Sequence, residues 1–219
     1  MVKDRIEEVL KDLPRGVSLI AVTKTHPASV INEAIDAGVT DRGENKVQEI
    51  LSKYDDVKPV RWHLIGHLQT NKVKQVVDKV YMIHSVDSLH LAQEINKRCE
   101  SISKVMNVLI QVNVAGEQQK SGVSPAELFE LANDVNNMPF LKLRGLMFIA
   151  PEADDPEDVR KYFKEMKLMF DELKGMFGPE FDTLSMGMSG DYLVAAQEGA
   201  TCVRVGSKIF GQRDYSKKV

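Results

Sequence analysis

Short runs rich in Val, Ile, Leu and Met recur along the chain at residues 17–24, 39–43, 62–66, 81–86, 106–114, 143–150, 183–188 and 202–206. They show little polar alternation, which is the pattern of strands buried on both faces of a parallel sheet. Stretches of helical period lie between them. Residues 27–37 start on Pro27 and stop at Gly38; 88–101 follow a cap at Asp87 or Ser88; 124–136 open with Ser124, Pro125 and Glu127. Residues 155–176 end near Gly175 or Gly178, 191–198 end at Gly199, and 208–212 form a vestigial last helix. These are helix starts and stops with a capping or φ-based cause. Residues 2–13 add one helix before the first run.

Eight strands in strict alternation with helices predict an α/β fold, a single (β/α)8 barrel with an extra N-terminal helix. An open doubly wound sheet is the rival that alternation alone does not exclude. No Gly/Ser linker, long charge run or internal repeat divides the chain, and the acidic PEADDP stretch at 151–156 reads as a loop after the sixth strand. The expectation is one domain over 1–219.

Composition narrows the function. Among 219 residues, 43% are hydrophobic and 28% charged, an ordinary globular balance. Lys and Arg number 29 against 32 Asp and Glu, a net charge of -3, so the basic excess of a nucleic-acid binder is missing. No apolar run approaches the ~20 residues of a membrane span, and MVKDRIEEVLKDLP is a charged amphipathic start, not a signal peptide. Cys99 and Cys202 are far apart and outside any CxxC, which excludes a disulfide framework or a four-thiolate zinc site. The expected compartment is the cytosol.

Barrels of this kind work at the C-terminal ends of their strands and hold phosphate after strands seven and eight. The rule selects Lys24, Glu44 and Asn45, His63 and His67, Asn113, Met147 and Phe148, Ser185 and Ser189, and Arg204, Gly206 and Ser207. Lys24 leaves an apolar strand at the barrel mouth, where desolvation favours the neutral amine that attacks a carbonyl; a solvent-facing lysine is the plain alternative. Ser189, Gly206 and Ser207 suit a phosphate cradle, with glycine allowing close backbone approach and serines donating. Arg204 in a buried strand needs a partner, either an ion pair with Glu44 or Asp191 or a ligand at the barrel centre. His63 and His67 form HxxxH across a strand end with no Glu between, a poor metal site, so no metal is expected. Cys202 reads as a core thiol, and Met147, Met186 and Met188 as core or pocket filler. Lysine, phosphate cradle and arginine at one mouth suit a phosphorylated aldehyde. Pyridoxal 5′-phosphate fits, and sugar-phosphate aldolases use similar parts.

At these residues the sequence resembles the pyridoxal phosphate homeostasis proteins, single-domain relatives of the N-terminal barrel of alanine racemase. The resemblance spans nearly the whole chain. It rests on AVTKTHP (21–27), GENKVQE (43–49), WHLIGHLQTNK (62–72), VNVAGEQQKSG (112–122), LRGLMFIA (143–150), LSMGMSGD (184–191) and VRVGSKIFGQRDY (203–215). It implies that Lys24 carries pyridoxal phosphate as an imine, that Asn45 lies beside it, that Ser189, Gly206 and Ser207 bind its phosphate, and that Arg204 faces the pyridine nitrogen. Ser207 stands where many relatives have Thr, and Gly190 where many have a larger, commonly acidic, residue. Lys120 matches a family lysine near the pocket mouth, against the plainer reading of a solvated loop lysine.

The resemblance also bears on activity. Arginine stays protonated, so Arg204 has no proton to surrender to the ring nitrogen and the ring is a poor electron sink. The racemase's second base, a tyrosine from another domain, has no match in Tyr192 or Tyr215, the nearest tyrosines in sequence, and that domain is expected to be absent. The favoured function is a carrier of pyridoxal phosphate in vitamin B6 homeostasis, with little or no catalysis, acting as a monomer that passes cofactor to apo-enzymes. A racemase or lyase using the cofactor, a sugar-phosphate enzyme without it, and a partner-binding scaffold are the alternatives.

Overall fold

Strands that expose no polar face need cover on both sides, and these obtain it by closing on themselves. The computed structural model describes residues 1–211. Its eight parallel strands form one closed barrel in chain order: β1 (Ser18–Val22), β2 (Asp41–Glu44), β3 (Arg61–Leu64), β4 (Met82–Val86), β5 (Met106–Gln111), β6 (Leu141–Met147), β7 (Thr183–Ser185) and β8 (Cys202–Val205). β1 pairs with β8 through Ser18↔Cys202 to Ala21↔Val205, which closes the ring and settles the choice against the open sheet. Around it run α1 (Val2–Asp12), α2 (Ala28–Asp36), α3 (Val47–Lys53), α4 (Val73–Val76), α5 (Leu89–Glu100), α6 (Pro125–Asn136), α7 (Arg160–Phe177), α8 (Tyr192–Gln197) and α9 (Ser207–Phe210). No helix of the described residues is long and apolar enough to cross a membrane.

α1 is the extra helix that the opening segment predicts, and it buries Ile6 and Val9. α6 opens as expected, with the Ser124 amide and hydroxyl both donating to the Glu127 carboxylate. The predicted helix over 155–176 starts as a 3-10 turn, Pro156–Val159, capped by the Asp155 side chain, before α7 takes over. α3 and α4 occupy connections where the sequence pattern marks no helix; at 7 and 4 residues they are too short to display a helical period. Gln212, the end of the predicted last helix, lies outside the described residues, as does Tyr215.

The two sides of the barrel wall are filled differently. Outside, strand residues such as Leu64, Ile83, Val108 and Val203 join helix residues such as Ile31, Ile95, Leu128 and Phe163 in one apolar layer. Arg42 points into this layer too, its guanidinium 3.6 Å from the Trp62 ring centroid. Inside, Met82, Leu109 and Met147 form a small apolar cluster, and the remaining space holds a polar chain. Arg61 Nη2 donates to Asp41 Oδ2 at 2.5 Å, and Asp41 Oδ1 lies 2.8 Å from His63 Nε2. His63 Nδ1 lies 2.9 Å from His84 Nε2, and His84 Nδ1 lies 3.0 Å from Ser185 Oγ. β4 and β7 are not neighbours in the ring, so the His84–Ser185 bond crosses the interior.

One irregularity sets the β5–β6 register. Val108 pairs with Leu143 but Leu109 with Gly145, leaving Arg144 as an extra residue. Gly145 has φ +150, and a Cβ there would sit 1.8 Å from the Thr183 carbonyl oxygen on β7. Gly145→Ala therefore has to push two strands apart, and it is expected to cost at least ~3 kcal/mol in denaturant unfolding. A second expectation concerns acid. Burial works to raise the Asp41 carboxyl, but hydrogen bonds from His63, Arg61 and Thr40 outweigh it and bring the pKa from 3.8 down to about 2. A folded pKa below the unfolded one stabilises at higher pH. This contribution of about 2 kcal/mol is present above pH ~4 and is lost as pH falls towards 2. Denaturant midpoints measured from pH 6 to 2 should fall over that window, and Asp41→Asn should flatten the fall.

Candidate functional site

The C-terminal ends of β1, β2 and β8, with the loop after β7, converge on a cavity of about 270 Å3. Lys24, Asn45, Ser189, Arg204, Gly206 and Ser207 all line it. Each of these positions follows from the local chain. β1 stops at Val22 because the next turn is seized from behind: Thr23 Oγ1 donates to Glu44 Oε1 at 2.8 Å, and the Thr25 amide donates to Glu49 Oε2 at 2.8 Å. Lys53 Nζ of α3 sits between these carboxylates, 3.2 Å from Glu44 Oε1 and 3.0 Å from Glu49 Oε2. Thr25 adopts φ 67, a backbone state that a threonine does not choose unaided. Lys24 is thus carried on a strained turn clamped on both flanks, and its half-buried side chain reaches the cavity.

Asn45 follows β2 directly and packs against the chain leaving β3. A Cβ at Gly66 would fall 2.2 Å from the Asn45 carbonyl oxygen, so only glycine lets the two segments pass. The Asn45 Oδ1 atom is buried and has no hydrogen-bond partner among the described residues. Across the cavity, Ser189 Oγ accepts from the amides of Gly206 at 3.1 Å and Lys208 at 3.4 Å. Ser207 is exposed on the same rim. Hydroxyls and first-turn amides gathered in this way suit an oxyanion. Arg204, 3% exposed, spends Nη1 on Ser185 Oγ at 2.6 Å and Nη2 on the Phe148 carbonyl at 2.7 Å. Burial pushes its pKa down from the usual guanidinium value, with Cys202 and Asp191 acting in the opposite sense.

Several sequence expectations change here. The ion pair between Arg204 and Glu44 does not form: Glu44 faces the outer layer, where it pairs with Arg42 and Lys53. Asp191 instead accepts from the Met188 amide at 2.6 Å. His63 and His67 do not meet; His63 is inside the barrel, while His67 is exposed near Asp87 and Ser121. No group of three or more metal-ligating side chains occurs among the described residues. Lys120 is not a solvated loop lysine, because its Nζ donates to the Ala150 carbonyl at 3.0 Å and pairs with Glu117. Asn113 braces that loop through the Glu117 and Lys120 carbonyls. Met147 and Met186 are core, whereas Met188 lines the cavity. Cys202 is buried, as expected. The Tyr192 hydroxyl lies on Asp12 and Lys208, away from the cavity.

His26, Ile65 and Ile149 also line the cavity and escaped sequence reasoning. His26 stacks on Phe210 at 4.9 Å, and burial lowers its pKa. Its one sequence signal is its place two residues after Lys24. A larger groove of about 740 Å3 adjoins the site at Met188, Gly190 and Asp191 and runs along residues 150–162.

The alanine racemase N-terminal domain family matches residues 2–214. A pyridoxal phosphate homeostasis protein from Aquifex aeolicus is 45% identical over 219 residues, covering 98% of this chain and 96% of its own. The protein of the same name from Escherichia coli (strain K12) is 46% identical over 213 residues, covering 94% and 89%. Among solved structures, PipY of Synechococcus elongatus with PLP bound is 35% identical with a TM-score of 0.88, over 96% of this chain and all of its own. Alanine racemase of Clostridium difficile shares the fold at 16% identity and a TM-score of 0.81, and this chain spans 59% of it.

The clamp on the Lys24 turn makes its own prediction. Glu49→Ala removes the charged acceptor of the Thr25 amide, a bond worth about 1.5 kcal/mol or more. Hydrogen exchange at that amide should accelerate about tenfold, while the Arg204 amide inside the barrel wall keeps its rate.

Proposed function

The chain belongs to the pyridoxal phosphate homeostasis proteins, a family carrying the alanine racemase N-terminal domain, and from that membership we propose that it binds pyridoxal 5′-phosphate at Lys24 and serves intracellular vitamin B6 homeostasis with little or no catalysis of its own. The observation that carries this reading is the convergence of Lys24, Asn45, Ser189, Arg204, Gly206 and Ser207 on one cavity. The residues fit the group. Asn45 offers a buried amide oxygen that no described residue hydrogen-bonds. Gly206 leaves room that a side chain would take, since a Cβ would come within 3.2 Å of the Val22 carbonyl. The cavity volume suits a single ring with one phosphate.

When bound, pyridoxal phosphate supplies an aldehyde that condenses reversibly with a primary amine. The residues have distinct tasks. Lys24 presents the amine from its clamped turn. Ser189, Ser207 and the amides of Gly206 and Lys208 receive the phosphate, with Ser189 turning from acceptor to donor. Arg204 donates towards the ring nitrogen and keeps its own proton, which favours holding the cofactor over reacting it. Tyr192, engaged with Asp12 and Lys208, is not presented as a second base. The reading extends to one barrel domain over 1–219, a cytoplasmic monomer, and apo-enzymes as recipients of cofactor. The adjoining groove favours the second reading, a racemase or lyase acting on an amino acid, because it gives a substrate room beside Lys24.

The test is the visible spectrum with added pyridoxal phosphate. Wild type should show a yellow band that Lys24→Ala lacks, and borohydride reduction should label the peptide bearing Lys24. No band in wild type, or a label elsewhere, overturns the reading. Ser189→Ala should weaken cofactor affinity about tenfold by removing one hydroxyl donor to a charged group. Turnover of an amino acid that depends on Lys24 would favour the enzyme.

A further inference from the structure

Arg204 is a buried cation whose two terminal nitrogens, among the described residues, hydrogen-bond only to neutral oxygens, those of Ser185 and Phe148. An isolated buried charge is costly, so a compensating anion is required. Asp191 adds long-range attraction from the mouth side. The anion joined to Arg204 by hydrogen bonds is Asp41, at the opposite end of the barrel interior. Four contacts connect them: Asp41–His63 at 2.8 Å, His63–His84 at 2.9 Å, His84–Ser185 at 3.0 Å and Ser185–Arg204 at 2.6 Å.

The partners dictate the proton positions. The Asp41 carboxylate only accepts, so His63 carries its proton on Nε2 and accepts at Nδ1. His84 must then donate from Nε2 and accept at Nδ1, where the Ser185 hydroxyl donates. Ser185 Oγ is left to accept from Arg204. Every donor therefore points from the cofactor cavity towards Asp41, and successive bonds of one polarity reinforce each other. Burial lowers the pKa of both histidines, which keeps them neutral and the tautomers single-valued. At the far end Arg61, half-exposed, closes on Asp41, beside a cavity of about 140 Å3 that Tyr81 and Arg144 also line.

We propose that Asp41, His63, His84 and Ser185 are one positioning relay for Arg204, carrying the carboxylate's charge through the barrel to hold the guanidinium in place at the cofactor cavity. The proposal rests on reading that cavity as the pyridoxal phosphate site for its effect on the cofactor, but the relay acts on Arg204 in the ligand-free protein as well.

The experiment uses the full chain with His84→Phe, His84→Gln, Ser185→Ala and Ser185→Thr. In ligand-free protein, NMR of the Arg204 guanidinium should show Nη protons that exchange at least fivefold faster in His84→Phe and Ser185→Ala. His84→Gln and Ser185→Thr, which keep a donor and an acceptor, should stay near wild type. With pyridoxal phosphate, the two breaking variants should bind about tenfold more weakly and shift the visible band, Lys24 being intact in both. If folded Ser185→Ala and His84→Phe keep the wild-type guanidinium exchange, and also its band and affinity, while losing only thermal stability, the relay is packing and the proposal fails. Should His84→Phe not fold, Ser185→Ala decides alone. Absence of a band in wild type overturns the cofactor reading, and the guanidinium exchange then still decides the relay.

Discussion

A guanidinium enclosed in a barrel is the constraint from which much of this structure follows. Arg204 occupies an interior position of β8, where it is 3% exposed and no carboxylate of the described residues hydrogen-bonds to it. The interior is therefore not three stacked layers of branched aliphatics, the usual filling of such barrels. Ser185, His84, His63 and Asp41 take that space on β7, β4, β3 and β2, beside a small apolar cluster of Met82, Leu109 and Met147 and the β1 residue Ile20. The stability that aliphatic packing would have supplied comes instead from the outer layer, where strand and helix side chains form one continuous cluster.

The two sides of the wall serve the mouth in different ways. From inside, the polar chain holds Arg204 beneath the cavity. From outside, Glu44, Lys53 and Glu49 grip the flanks of Lys24. In Glu49, burial works to raise the carboxyl, but the Thr25 amide and Lys53 outweigh it and hold it below the usual range. A lysine on a clamped turn and a cation on a hydrogen-bonded strut are both pre-positioned before any ligand arrives. Pre-positioning of this kind suits reversible holding of an aldehyde, because little ordering remains for binding to impose.

The mouth residues were legible because each is a chemically distinctive type at a strand end. Lys24, Asn45, Ser189, Arg204, Gly206 and Ser207 do meet in one cavity. His26 and Ile65 were hidden because nothing in their spacing separates a cavity wall from core. Arg204 shows the limit most clearly. A buried charge announces that it has a partner but not which one, and Glu44, two strands away in the ring and one residue from the interior-facing Gly43, turned out to face the other side of the wall. Lys120 reads as solvated in a polar loop, yet the fold brings the Ala150 carbonyl to it from another strand end.

What the sequence determined alone were properties that depend on local period and residue type: eight runs without polar alternation, the helix starts at Ser124 and Asp155, and the motifs that mark the family. Tertiary structure decided what depends on which way a side chain faces and what lies across the barrel. Strand residues alternate between two faces, so one step in position separates Arg42, stacked on Trp62 outside, from Asp41, bonded to His63 inside. The His84–Ser185 contact spans 101 residues of chain and joins strands that are not neighbours. No spacing rule reaches across a closed barrel, because the distance between opposite strands is set by the ring's closure and not by the chain between them.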